Sequence, residues 1–385
     1  MDSGKRFTHD RPLTVMNLIS GDGKGGADRL ALDLSIGLKG LGHRVIWGSP
    51  SDCFLTADAV DAGLEICNLD LAGPASTPIV SRLMQFCRDE RVDIVDGHDS
   101  RIRHLISLAR LRGLRARVVS TRHCILRTVP WIGAFAHNFL ADMHIAVSRV
   151  VRDSLIRGGI FPWRAITVYG GIDTARFENT AEQEVDRLKG LYTRSGAVTI
   201  GMVARLQHGK TFGPDKPTLK GHDIAFGALA GFDKDFTLLL FGPEKEEDKE
   251  KLRRIAIHRG FDPARMTFCG FQRDMASFYR ILDVNILPSP NEGLGLALIE
   301  AMASGVPSIG VDKGGIREII EDGVDGFLAK PGDSEDLGRK IRIVCDDLKT
   351  KERFVANGIA KARQQFGRDR MAHETEAVYR RLFRQ

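Results

Sequence analysis

Between Asp283 and Pro307 the chain dictates its own local geometry. Asp283-Val284-Asn285-Ile286-Leu287 reads as a buried strand, Pro288 to Gly295 as a tight glycine-containing loop, and the apolar spacing through Ala303 as a helix. Gly305 and Pro307 stop that helix. Strand, short loop and helix form the repeating unit of a parallel α/β sheet, whose ligands gather at the carboxyl edge of the strands. The helix start there has amides without intrahelical partners, which suits a phosphate. Two carboxylates frame the turn, Glu292 in the loop and Glu300 farther along the helix. Negative charge at an anion-binding helix start opposes phosphate, so each reads better as an acceptor for sugar or ribose hydroxyls. On local pattern alone they also fit a loop charge and a solvated helix carboxylate.

The same order recurs upstream. Leu13 to Ile19 reads as a strand, Ser20 to Gly26 as a glycine-rich loop, and Ala27 to Leu38 as a helix. Gly21, Gly23 and Gly26 fit G-x-G-x-x-G, yet the next strand, Val45 to Trp47, runs into Gly48-Ser49-Pro50 without the acid that a dinucleotide ribose needs. No Gly-Lys-Ser/Thr follows, which removes a Walker loop. Val92 to His98, Arg117 to Thr121 and Val198 to Leu206 continue the β-α alternation, so 385 residues are expected to fold as two parallel-sheet α/β domains. Asp233-Lys234-Asp235 precedes its strand and reads as a turn, not a metal-binding D-x-D.

Charge narrows the partners. The net charge is +6 with a pI near 9.0, favouring anionic partners. No acid occurs between Asp99 and Asp142, while Arg101, Arg103, Arg110, Arg112, Arg115, Arg117, Arg122 and Arg127 all fall there. Beside them, Pro130 to Leu140 is uncharged and carries Trp131, Phe135 and Phe139; the pair of features fits a seat on an anionic membrane face, or solvated arginines beside core aromatics. The six cysteines, with no C-x-x-C, read as small buried hydrophobes in a reducing compartment. The first apolar run is too short for a signal peptide and no run is long enough to span a bilayer, so a cytoplasmic location is expected.

The segment Pro288 to Pro307, P-S-x-x-E-G-x-G-x-x-x-x-E-A-M-A-x-G-x-P, resembles the nucleotide-sugar site of the retaining glycosyltransferases of GT-B fold, family 4. That resemblance implies two Rossmann-like domains facing a central cleft: 1–177 on the acceptor side, 178–369 on the nucleotide-sugar side, and 370–385 packing back on the first. It implies transfer from a nucleoside diphosphate sugar, with Glu292 on the sugar hydroxyls, Glu300 on the ribose, and Gly293, Leu294, Gly295 and Leu296 around the donor. Arg205 and a lysine would grip the diphosphate. Lys220, in a Lys-Gly-His-Asp context, fits by position, and Lys210 by spacing, with Gln207 to Leu219 as an insertion. Gly25 and Gly26 match the loop that closes over the donor, Gly242 a nucleotide contact and Phe271 a wall for the base. Ser120-Thr121-Arg122-His123 matches the segment whose histidine reaches the sugar, and His98 falls on the acceptor side. The resemblance implies no metal and no cofactor, a glycan or glycolipid acceptor such as lipopolysaccharide core, peripheral membrane contact and no nucleic acid. A nucleotide-sugar epimerase or phosphorylase of the same fold, and a non-catalytic nucleotide-sugar-binding protein, are the alternatives.

Overall fold

The structure, a computed structural model, describes residues 11–67, 69, 77–126, 137–206, 218, 220–243 and 245–384. Two compact units divide the chain: Met1–Gly171 with Arg368–Gln385, and Ile172–Gly367.

The first unit is built on a seven-stranded sheet. Its strands are β1 (Thr14–Leu18), β2 (Arg44–Gly48), β3 (Glu65–Cys67), β4 (Ile94–Gly97), β5 (Arg117–Arg122), β6 (Met143–Ala146) and β7 (Ala165–Thr167). They lie in the order β3-β2-β1-β4-β5-β6-β7, every neighbouring pair parallel. The second sheet has six strands: β8 (Val198–Val203), β9 (Phe236–Phe241), β10 (Met266–Gly270), β11 (Val284–Leu287), β12 (Ser308–Val311) and β13 (Phe327–Ala329). Their order is β10-β9-β8-β11-β12-β13, again all parallel. Helices cover both faces of such sheets, which is why strands such as Phe236–Phe241 are apolar at nearly every position and buried throughout.

Each unit reverses its strand order beside its first strand. In such a sheet the crevice at the carboxyl edge, where the order switches, is the natural ligand position. The switch falls between β1 and β4 in one unit and between β8 and β11 in the other.

Thr174–Glu178 belongs to the second unit, six residues earlier than the expected boundary after 177, because Phe177 is buried against Tyr279, ring centroids 6.2 Å apart. Helix Arg368–Arg381 belongs to the first unit. There Tyr379 donates to Asp96 Oδ2 at 2.7 Å, and Gly37 lets Ala372 approach so closely that an added Cβ would lie 2.7 Å from Ala372 Cβ.

Four cysteines are buried, but Cys124 is exposed, contrary to expectation, because it follows the end of β5 in a loop. Asp233 pairs with Arg342, Lys234 with Asp346, and Asp235 with Arg194, so the D-x-D is a surface ion-pair cluster. Trp131, Phe135 and Arg127 lie outside the described residues, and Phe139 is exposed. Among the described residues no helix is long and apolar enough to cross a membrane.

Candidate functional site

The carboxyl edge of the second sheet carries, in strand order, Phe271 after β10, Gly242 after β9, Arg205 after β8, the Glu292–Gly295 turn after β11 and Gly314–Gly315 after β12. Parallel pairing makes that grouping compulsory, since every strand points the same way. Gly295 occupies the left-handed region at φ 102° and caps helix Leu296–Ala303, so the first-turn amides face the edge. Lys220 reaches the turn from the start of helix His222–Ala230, its Nζ donating to Glu292 Oε1 at 2.7 Å, with both side chains partly buried. Lys210 lies outside the described residues.

Backbone approach positions this pair. At Gly221, φ is 78° and an added Cβ would lie 2.6 Å from the Pro288 carbonyl carbon, its oxygen closer still, so only glycine lets the lysine turn meet the loop after β11. Asp223 holds the same helix start from inside. It accepts from Thr218 N at 2.8 Å and Thr218 Oγ1 at 2.7 Å, and its other oxygen accepts from Arg259 at 3.2 Å. On the far side, Gly315 N donates to Glu292 O at 2.9 Å. A Cβ on Gly315 would lie 2.6 Å from the Gly293 carbonyl carbon and 2.8 Å from Leu294 Cα, so this turn is braced by a bare backbone.

Glu300 is oriented by a residue that local sequence patterns do not reveal. Tyr279, fully buried, donates to Glu300 Oε2 at 2.9 Å. Burial first, then the charge of Glu300 and that hydrogen bond, hold the phenol well above its ordinary pKa, so it stays a donor. Gly242, at φ 148°, donates its amide to Gly270 O at 2.9 Å, and a Cβ there would lie 2.9 Å from the Ala204 carbonyl carbon. Its amide is thus committed to the sheet, and its contribution is closeness to the Arg205 backbone. Arg205 is exposed and Phe271 half-buried.

The first unit presents a different chemistry at its own carboxyl edge. Gly25 is the N-cap of helix Gly26–Gly40. A Cβ on Gly21 would lie 2.8 Å from Asp28 Cγ, so a buried carboxylate occupies the helix start where a dinucleotide fold would hold its pyrophosphate. His98 and His123, past the ends of β4 and β5, meet directly, Nδ1 to Nε2 at 3.1 Å. Ser35 donates to Ala31 O at 2.8 Å and accepts from Asn17 Nδ2 at 2.7 Å, which leaves Asn17 Oδ1 turned to His98 Nε2 at 3.5 Å. An acceptor there makes Nε2 the protonated nitrogen of His98, and His98 Nδ1 then accepts from His123 Nε2. The chain ends on His123 Nδ1, a buried lone pair with no partner among the described residues. Burial, then His98 and Arg122, hold the His123 pKa well below its ordinary value. Burial likewise lowers that of His98, against Asp96 and Asp99, so the pair is neutral.

The expected residues therefore fall into two groups. Glu292, Lys220, Gly293, Leu294, Gly295, Leu296, Glu300, Arg205, Gly242 and Phe271 lie along one sheet edge of the second unit, and Gly25, Gly26, His98 and His123 on the first. Sequence reasoning gave no site role to Tyr279, Gly221, Gly314–Gly315 or the Ser35–Asn17 link. Gly314–Gly315 carried a visible signal, a doublet just past a strand; Tyr279 carried none. Among the described residues no group of three His, Cys, Asp or Glu side chains is placed to hold a metal.

Residues 216–361 match the family described as glycosyl transferases group 1, and residues 24–176 match glycosyltransferase family 4. N-acetyl-alpha-D-glucosaminyl L-malate synthase of Bacillus anthracis is 31% identical over 323 residues, 80% of this chain and 79% of that protein. The chain belongs to the family 4, group 1 glycosyltransferases. Lipopolysaccharide core biosynthesis mannosyltransferase LpsB of Rhizobium meliloti is 27% identical over 223 residues, 56% of this chain and 60% of that one. Against D-inositol 3-phosphate glycosyltransferases of two other bacteria the match spans about half the length of the relatives, 46% and 54%. The crystal structure of Anabaena Alr3699/HepE in complex with UDP and glucose superposes with a TM-score of 0.82 at 20% identity, covering 95% of this chain and 99% of that one. Both units thus have the architecture of the GT-B fold.

Proposed function

We propose that this protein transfers a sugar from a nucleoside diphosphate sugar to a glycan or glycolipid acceptor, with retention at the anomeric carbon. The observation that carries the reading is the Lys220–Glu292 pair beside the start of helix Leu296–Ala303, with Glu300 held by Tyr279 on the same edge. A cation, helix amides and two aimed carboxylates match the parts of a nucleoside diphosphate sugar: Lys220, Arg205 and the amides for the diphosphate, Glu300 for the ribose, Glu292 for the sugar hydroxyls. As the bond from the anomeric carbon to the diphosphate breaks, the two cations meet the charge growing on the leaving group. His123 and Gly25–Gly26 take the roles the family resemblance gives them, towards the sugar and the donor. A fold neighbour that binds UDP and glucose supports this donor class. The arginine-rich first unit and the LpsB relative favour an anionic acceptor such as lipopolysaccharide core, reached at a membrane face.

Two side-chain cations and the amides supply the charge compensation without metal. The test is a screen of UDP-, GDP- and ADP-sugars with candidate acceptors in the presence of EDTA, following release of the nucleoside diphosphate and the anomeric configuration of the product. Release that depends on acceptor, with retained configuration, is the expected result. Release without acceptor, interconversion of donor sugars, or loss of activity in EDTA overturns the reading.

A further inference from the structure

Two arginines at the carboxyl edge of the first sheet are left with their charge uncompensated. Arg122 is the last residue of β5, and Arg103 lies in the first turn of helix Ser100–Leu111, which follows the neighbouring strand β4. Both are half-buried, and among the described residues neither has an ion-pair or hydrogen-bond partner. The other described arginines of this stretch are either paired with an acid or, as at Arg101, Arg112 and Arg115, exposed. Arg110 and Arg117 pair with Asp142 at 3.1 and 3.4 Å. Asp99 is the acid that bears on Arg103, and its oxygens are already committed: they accept from Ser20 N and Oγ and from the amides of Arg101 and Ile102. No residue between Asp99 and Asp142 is acidic, so the adjoining chain brings no carboxylate either.

Burial, then the charge of Arg122, lowers the Arg103 pKa to about 10, and burial lowers that of Arg122. Bringing like charges together away from water is unfavourable unless an anion completes the cluster. Two guanidinium groups are the usual partners of a phosphate or carboxylate, which each can bind in a fork. The cluster stands next to His98 and His123, whose neutral rings supply no competing charge.

We propose that Arg103 and Arg122 form an oxyanion subsite on the first unit that receives a phosphate or carboxylate group of the acceptor. The acceptor assignment rests on the sugar-transfer reading; the oxyanion site does not. It restricts the acceptor to one that carries such a group near the hydroxyl to be glycosylated.

The experiment is thermal unfolding of the full chain at constant ionic strength, titrated with inorganic phosphate and, separately, with malonate. The parent protein is expected to gain stability saturably with at least one of them, and the stronger arm identifies the group. Arg103→Met and Arg122→Met should each weaken that response by about 10- to 100-fold in apparent affinity. Without anion each should melt at or above the parent temperature, because a desolvated like charge has been removed. Lys220→Gln should keep the part of the response that Arg103→Met and Arg122→Met weaken, which separates this subsite from the donor edge, where phosphate can also bind. No saturable response in the parent, an undiminished response in both arginine variants, or a response lost in Lys220→Gln alone overturns the proposal. Donor binding is read on the same proteins. If no nucleoside diphosphate sugar binds the parent while the phosphate or malonate response depends on Arg103, sugar transfer fails and the oxyanion site stands.

Discussion

Gly315 offers the sharpest perturbation of the donor edge, because alanine there changes one thing. Its φ lies outside the left-handed region, so alanine meets no backbone strain, and what changes is the room left for the turn that its amide bonds through Glu292 O. The added Cβ lies 2.6 Å from the Gly293 carbonyl carbon and closer still to its oxygen, whereas ordinary contact starts near 3.4 Å, so the Glu292–Gly293 turn must retreat by about 1 Å or more. Overpacking of this kind costs about 1–3 kcal/mol, and a misplacement near 1 Å at a reacting centre lowers turnover by about 100-fold. Gly190→Ala is the matched control. It lies inside helix Glu182–Tyr192 with nothing within 4 Å, and alanine there should stabilise by about 0.5–1 kcal/mol. Calorimetric donor titration, turnover and thermal melting of the three proteins decide the matter. Gly315→Ala with parental turnover would show that the Glu292 turn is not the catalytic frame.

Tyr279→Phe removes the bond that aims Glu300, at a cost of about 1 kcal/mol in stability. If Glu300 holds the ribose, the variant loses about 10-fold in affinity for the nucleoside diphosphate and for its sugar alike; a loss confined to the sugar conjugate would assign Glu300 elsewhere. A separate expectation concerns acid. His144 is buried in β6, and burial, then His137, lowers its pKa to about 3. The unfolded chain takes up that proton near pH 6.5 while the native state refuses it, so stability is complete above about 6.5 and is lost as pH falls towards 3, by at most about 1.4 kcal/mol per unit. His144→Leu should flatten the fall in Tm between pH 6.5 and 5; an unchanged slope refutes the assignment.

Parallel α/β architecture was legible because buried parallel strands leave nearly continuous apolar runs, and Val198 to Val203 and Phe236 to Phe241, each interrupted by a single threonine, are such runs. The Glu292 turn was legible for the same reason: glycine, helix start and carboxylate are local in sequence. Lys220 could be placed by its position before a helix, and Gly221 shows the physical basis, a backbone approach no side chain allows. Tyr279 was invisible because its contact with Glu300 spans 21 residues and uses no periodic pattern. Arg103 was hidden differently. Eight arginines between Asp99 and Asp142 look alike in sequence, and the fold separates Arg110 and Arg117, which meet Asp142, from Arg103 and Arg122, half-buried and without an ion-pair partner among the described residues.

The Lys220–Glu292 pair bears on the order of events in turnover. Without ligand each charge neutralises the other at 2.7 Å. A diphosphate that draws Lys220 away leaves a partly buried Glu292 without its cation, a penalty that a sugar hydroxyl donating to Glu292 relieves. On the sugar-transfer reading, a nucleoside diphosphate alone would therefore meet a cost that its sugar conjugate does not, which would weaken the leaving product relative to the donor. Glu292→Ala separates the two effects. It frees Lys220, so the nucleoside diphosphate should bind as tightly as before or tighter, while the sugar conjugate weakens by about 10-fold. A double-mutant cycle with Lys220→Ala should give a coupling of about 0.5–3 kcal/mol whose size changes when the sugar is present. Equal weakening of both ligands by Glu292→Ala would mean that Glu292 only positions the lysine and does not touch the sugar.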